Sequence, residues 1–296
     1  MAPFFMRDDF LKYAQTEKRF SEHTVVAYNK DLTQFFEFVG SMDQQTITEI
    51  TSKVIRGWVV ALLEEDASPL TVNRKLSSLR TYFKWLQKEG VILINPTQTV
   101  VGPKTKKQLP SFAQQNELEA EKMQPLFEND FDGVRDQLMF ELLYQTGIRS
   151  SELVELKSKN VQTDRIKVLG KRSKERIIPI SSELNELIKK YNYLKAEIAT
   201  EIDCLLVLKS GKKLYPKFVY RKINDYLGKA TGLRKKSPHV LRHTFATHML
   251  NNGAGLEVLK EILGHANLSA TQIYTHNSFA QLTNIYSQSH PRGQKK

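Results

Sequence analysis

Eight residues, Pro103-Lys104-Thr105-Lys106-Lys107-Gln108-Leu109-Pro110, do most to limit what this chain can fold into. Two prolines bracket three lysines with few apolar residues between them, a composition that suits an exposed interdomain linker and not a core. At 296 residues the chain can supply a separate core on each side of it. The expected division is a first domain over 1–102, a linker over 103–113 and a second domain over 114–296.

Before the linker the hydrophobic period is helical throughout. Leu32, Phe35, Phe36 and Val39 form one stripe, and Ile55, Trp58, Val59 and Leu62 form another. Ser68 followed by Pro69 is an N-cap and a first-turn proline, opening a helix that runs through Leu76, Leu79, Tyr82, Phe83 and Leu86 until Gly90 stops it. Its other face carries Arg74, Lys75, Arg80 and Lys84. Such a face either tracks DNA phosphates and enters a major groove or is simply solvated, and periodicity does not choose between the two.

After the linker, polar helical sequence from about Gln114 leads to a strongly apolar helix over 133–144 that stops at Gly147. Arg149 then falls at a helix–helix junction, with Glu152 one turn later and able to hold its guanidinium. Between 161 and 180 the period becomes two: Ile166 and Val168 alternate with polar residues, Gly170-Lys171-Arg172-Ser173 makes a turn, and Arg176-Ile177-Ile178-Pro179-Ile180 returns as a strand. Lys171 at the tip is a solvated lysine unless the hairpin leans over an anion site, where an ammonium can protonate a departing oxygen. A further basic helix carries Lys217, Tyr220, Arg221 and Lys222. The expected fold is mainly α with a small β-sheet, a helical domain followed by an α+β domain.

The stretch Ser237-Pro238-His239-Val240-Leu241-Arg242-His243-Thr244-Phe245 begins another capped helix. His239 and Arg242, three residues apart, share a face at the end where the helix dipole favours negative charge, so that face suits a phosphate. Downstream, Gly264-His265 ends a short amphipathic helix, and Ser269 with Gln272 reads as a capping box opening a helix that carries Tyr274. The formal charge of +12 favours a polyanionic partner, nucleic acid first. Cys204, the single cysteine, lies in an apolar run, so no disulfide framework exists. No apolar segment reaches the roughly 18 residues that span a bilayer, and the N-terminus lacks the layout of a signal peptide, so a cytoplasmic location is expected. The sequence shows no metal-ligand spacing, no Gly-rich nucleotide loop and no Ser-centred nucleophile elbow.

Without a carboxylate cluster, two-metal phosphoryl chemistry has little support, and the site must supply its own charge. Two arginines can neutralise a phosphodiester as it becomes a pentavalent transition state. Tyr274 is then the candidate nucleophile, its phenol, of ordinary pKa about 10, activated by His239 and nearby cations.

Five ordered motifs carry a resemblance: Thr146-Gly147-Ile148-Arg149-Ser150-Ser151-Glu152-Leu153, Gly170-Lys171 before Lys174-Glu175-Arg176, His239-Val240-Leu241-Arg242-His243, Leu263-Gly264-His265 and Ile273-Tyr274-Thr275-His276. Together they resemble the tyrosine site-specific recombinases of the phage-integrase family, most closely the Xer type. The first domain is likewise similar to that family's SAM-like core-binding domain. The resemblance implies that Arg149 and Arg242 clamp the scissile phosphate, Lys171 protonates the 5′-oxygen, His239 acts as acid/base, His265 holds a phosphate oxygen and Tyr274 forms a 3′-phosphotyrosyl bond. Glu152 would support the site, and His243 would be structural. It also implies no cofactor, ATP or metal, a double-stranded recombination site bound through Arg74, Lys75, Arg80, Lys84, Arg221 and Lys222, and a homo- or heterotetramer that exchanges C-terminal helices over 279–289, with a DNA-translocase activator by analogy. Dimer resolution is the expected role. The rivals are a mobile-element integrase or transposase, a type IB topoisomerase and a non-catalytic DNA-binding protein.

Overall fold

The computed structural model describes residues 4–40, 44–105, 111–170, 175–198, 201–264 and 276–293. The chain divides into two compact units, Met1–Gln108 and Leu109–Lys296.

Among the described residues the first unit is a bundle of five helices: α1 (Phe4–Thr16), α2 (Glu22–Val39), α3 (Gln44–Glu49), α4 (Ser52–Glu64) and α5 (Pro69–Lys88). Local chemistry sets its boundaries. Ser21 and Ser68 each accept a backbone N–H at the start of α2 and α5, while Gly40 takes the left-handed conformation that ends α2. The core is aromatic, with the Phe35 ring edge-on to Trp58 at 5.1 Å and Phe10 edge-on to Tyr82 at 5.2 Å. Such edge-to-face pairs add to the stabilisation from burial alone.

In the second unit, a run of short turns precedes the first long helix. Residues 114–126 form two 3-10 turns and the four-residue α6 (Ala120–Met123), so the polar segment after the linker is not the continuous helix its composition suggests. Ala113, the last residue of the expected linker, is fully buried. Its N–H donates to Thr244 Oγ1 (3.0 Å) and its carbonyl accepts from His248 Nε2 (2.9 Å), which makes it part of this unit.

The unit is built around α7 (Phe131–Thr146), in which every residue from Gly133 onward except Gln137 is buried. A helix enclosed in this way must satisfy its polar side chains internally. Arg135 lies between the Phe131 and Phe218 rings and donates to Asp136, and Glu141 accepts from Gln145 and Arg292. There follow α8 (Ser150–Glu155), the antiparallel pair β1 (Arg165–Leu169) and β2 (Glu175–Pro179), α9 (Ser182–Lys195), α10 (Pro216–Ala230), α11 (Pro238–Asn251), α12 (Leu256–Leu263) and α13 (His276–Ser289).

The C-terminal helix expected to be exchanged packs, in this single chain, on its own unit. Phe279, Leu282 and Tyr286 are buried in the core and Ile285 is half-buried against it. Beyond α13, His290 donates through Nε2 to the Tyr144 carbonyl (3.3 Å) and accepts at Nδ1 from the Arg292 N–H (3.0 Å). Both ring nitrogens are committed to the neutral form, and complete burial pushes the imidazole pKa down to about 3.

Candidate active site

The site grows from the end of α7. Gly147 closes that helix at φ +60°, and a Cβ there would fall 2.5 Å from Cδ1 of Phe245, so neither the turn nor the approach of α11 tolerates a side chain. Two residues later Arg149 caps α8. Its backbone N–H donates to Glu152 Oε2 (2.8 Å) and its guanidinium to Oε1 (2.8 Å), while its outer edge stays exposed. A side chain fixed on one edge and open on the other suits an anion receptor.

Glu152 is itself buried and takes a second arginine. Arg176, on β2, donates through Nη1 to Oε1 (3.0 Å) and through Nη2 to Oε2 (2.8 Å). Burial pushes the Glu152 carboxyl upward, but the hydrogen bonds and charge of Arg176, with those from Arg149, outweigh it and hold the group below the usual range.

Arg242, on α11, has no carboxylate partner among the described residues. It donates to the carbonyls of Gly147 (2.5 Å) and Leu263 (2.7 Å), groups that the C-terminal ends of α7 and α12 leave without helical partners. Burial, then the neighbouring charge of Arg149, pushes its pKa down to about 10. It stays protonated at neutral pH, in a setting that favours an added negative charge. Two guanidiniums thus share one carboxylate, and a third lies close enough to feel their charge without a carboxylate of its own.

His239 lies exposed in the first turn of α11, and His243 sits one turn later and half-buried. Burial and the nearby His239 push the His243 imidazole pKa down. Lys171, His265 and Tyr274 lie outside the described residues.

Arg176 was legible in the sequence as a strand residue and as the end of the second motif, with no role assigned to it. Its signal was a charged side chain two positions from Ile178, on the inward face of an alternating strand.

The expected DNA-binding residues divide into open and occupied. Lys84 is exposed, Arg80 is exposed with one donor on the Val100 carbonyl (2.8 Å), and Arg221 is exposed beside the Tyr215 hydroxyl (3.1 Å). Arg74 is half-exposed and donates twice to the buried Asp31 (2.6 and 2.8 Å). Lys75, by contrast, does not stand on the open face of α5: it is buried, with Nζ against Gln34 and Asp31. Lys222 is tied to the buried Asp136 (2.7 Å), which also accepts from Tyr226 (3.1 Å).

Among the described residues no cluster of His, Cys, Asp and Glu is placed to hold a metal ion, and no helix is long and apolar enough to cross a membrane. Residues 8–90 match the phage integrase N-terminal SAM-like domain, and residues 116–281 match the phage integrase family. The chain belongs to that family of tyrosine recombinases. This tyrosine recombinase is 37% identical over 294 residues to the tyrosine recombinase XerC of Staphylococcus epidermidis, covering 98% of both chains. Its fold is shared with the XerH site-specific recombinase bound to palindromic difH substrate in a post-cleavage complex, at 22% identity and a TM-score of 0.72 over 95% of this chain and 83% of that one. A lambda integrase tetramer bound to a Holliday junction aligns at 16% identity with a TM-score of 0.66, over 92% and 80% of the two chains.

Proposed function

We propose that this recombinase resolves chromosome or plasmid dimers at one DNA site, with Tyr274 as nucleophile. Arg149 and Arg242 hold the non-bridging oxygens of the scissile phosphate, and His265 binds there too. Tyr274 Oη attacks phosphorus as His239 takes its proton. The bond from phosphorus to the 5′-oxygen breaks, and Lys171 protonates that oxygen. The phosphodiester bond energy is kept in a 3′-phosphotyrosyl linkage, which a 5′-hydroxyl of the partner strand reverses, so the reaction needs neither ATP nor metal.

The observation that supports this reading best is the three-guanidinium, one-carboxylate arrangement, whose excess positive charge matches a phosphodiester gaining charge in its transition state. The Xer names of the relatives support the dimer-resolution role. The active assembly is a tetramer on two paired sites, of one recombinase or two, in the cytoplasm, with α13 passed between neighbours and a DNA translocase as activator. Both residues 1–102 and residues 114–296 bind DNA.

The test is a nicked suicide duplex carrying the resolution site of the source chromosome. The wild-type chain forms a covalent adduct in chelator, and Tyr274→Phe binds the duplex with unchanged affinity and forms none. Adduct formation by Tyr274→Phe, or a strict need for divalent metal, overturns the mechanism. Exchange only with a mobile-element site assigns the chain to integration instead, and relaxation without strand exchange makes it a topoisomerase.

A further inference from the structure

We infer that Arg176 is a positioning residue that sets both phosphate-binding arginines at once. The inference rests on the reading of Arg149 and Arg242 just given. Arg176 is buried, and all three of its donor nitrogens are used on two separate elements.

Its two terminal nitrogens grip both oxygens of Glu152. With its orientation fixed from the inner side, that carboxylate can present one oxygen to the Arg149 backbone N–H and the other to the Arg149 guanidinium. Its third nitrogen, Nε, donates to the Ile262 carbonyl (2.7 Å) at the end of α12. The next carbonyl along, that of Leu263, is the one that holds Arg242. Gly264 closes α12 at φ +64°, and a Cβ there would come within 3.2 Å of Arg176 Cδ, so the Arg176 stem packs directly against the helix end. One side chain therefore fixes the carboxylate behind Arg149 and, through the Ile262 carbonyl, the end of α12 whose next carbonyl holds Arg242.

A structural ion pair alone would stabilise the fold and leave the chemistry of an intact complex untouched. A positioning residue controls the angle between two guanidiniums, and small misplacements of reacting or clamping groups cost rate steeply. Arg176→Met removes both grips. Arg176→Lys keeps the charge and can reach one partner at a time, which protects the fold while splitting the two tethers.

The experiment measures adduct formation at saturating DNA on two forms of the suicide duplex. One carries the normal scissile phosphate and the other a methylphosphonate, in which a neutral methyl replaces one non-bridging oxygen. With the normal phosphate, Arg176→Met slows adduct formation about 10²-fold and Arg176→Lys at least about 10-fold, while duplex affinity stays within about twofold of wild type. With the methylphosphonate the phosphorus needs less neutralisation, so both defects shrink to a few-fold.

Equal defects on the two substrates, or wild-type rates in Arg176→Lys on the normal phosphate, overturn the assignment. Should Arg176→Met fail to fold, Arg176→Lys alone decides by the same ratio. Failure of the underlying recombinase reading looks different, because the wild-type chain then forms no adduct at all.

Discussion

Asp31 in the first unit and Glu152 in the second are both buried carboxylates gripped bidentately by arginine, yet the two clusters leave their cations in opposite electrostatic conditions. Around Asp31, Arg74 donates twice, Lys75 once and Ser78 once, and the Arg74 guanidinium is pushed up from its ordinary pKa by its bonds to Asp31. That cation is content with the partner it has. Around Glu152, Arg149 and Arg176 take up the carboxylate, and Arg242 is left with two carbonyls and a lowered pKa. The same building block thus braces one unit and, on the function proposed above, forms an anion receptor in the other. What separates them is the ratio of cations to carboxylate and the depth at which the excess charge is held.

The largest expected effect follows from that difference. Arg242→Gln lowers the rate of adduct formation by about 10³-fold at saturating DNA, the upper end of what loss of one preorganised donor costs. Its effect on melting temperature is small, because two changes oppose each other. A guanidinium whose folded pKa lies below its unfolded one costs stability at neutral pH, so removing the charge relieves that cost, while the carbonyls of Gly147 and Leu263 lose their donors. Arg74→Gln shows the reverse pattern, with lower stability and unchanged chemistry once DNA is saturating. If Arg242→Gln instead melts as readily as Arg74→Gln and cleaves normally when folded, the two clusters are equivalent and the contrast fails.

How much of this was legible beforehand depended on sequence distance. The start of α5 at Ser68 and Pro69, the stop at Gly147 and the Arg149–Glu152 pair are decided by residues within one turn of each other, and caps and i,i+3 spacings show them directly. Arg176 meets Glu152 across 24 residues and Ile262 across 86, so no local pattern exposes its role. Lys75 was misread for a related reason. It follows Arg74 by one position, about 100° around the helix, and only Asp31 on α2 determines that this direction is inside. The polar segment over 115–122 differs in another way: composition permits a helix there, but the chain breaks into a 3-10 turn over 115–117 and the four-residue α6.

Next in size is the brace itself. Asp31→Asn leaves Lys75 buried without its counter-ion and destabilises the first unit by about 3 kcal/mol, at the low end for a broken buried pair because Arg74 can turn to solvent. Urea unfolding measures it. A loss below about 1 kcal/mol would show that Asp31 is no more than a surface partner, and would remove one half of the contrast.

The smallest effect sharpens the same point at the level of single charges on α5. A cation that touches DNA phosphate releases counter-ions on binding, so removing it lowers the slope of log affinity against log salt by about 0.9. Lys84→Ala should show that change, since its ammonium is exposed. Lys75→Met should not, because its Nζ is already spent on Asp31 and Gln34 and never exchanges its neighbours for phosphate. Arg74→Ala decides between two roles for a half-exposed guanidinium: a fall of about 0.9 means that its free edge reaches phosphate while Asp31 holds the other edge. An unchanged slope means that Arg74 only braces α5 against α2. A fall for Lys75→Met as large as that for Lys84→Ala would mean that the Asp31 cluster opens on DNA, making it a second anion receptor after all.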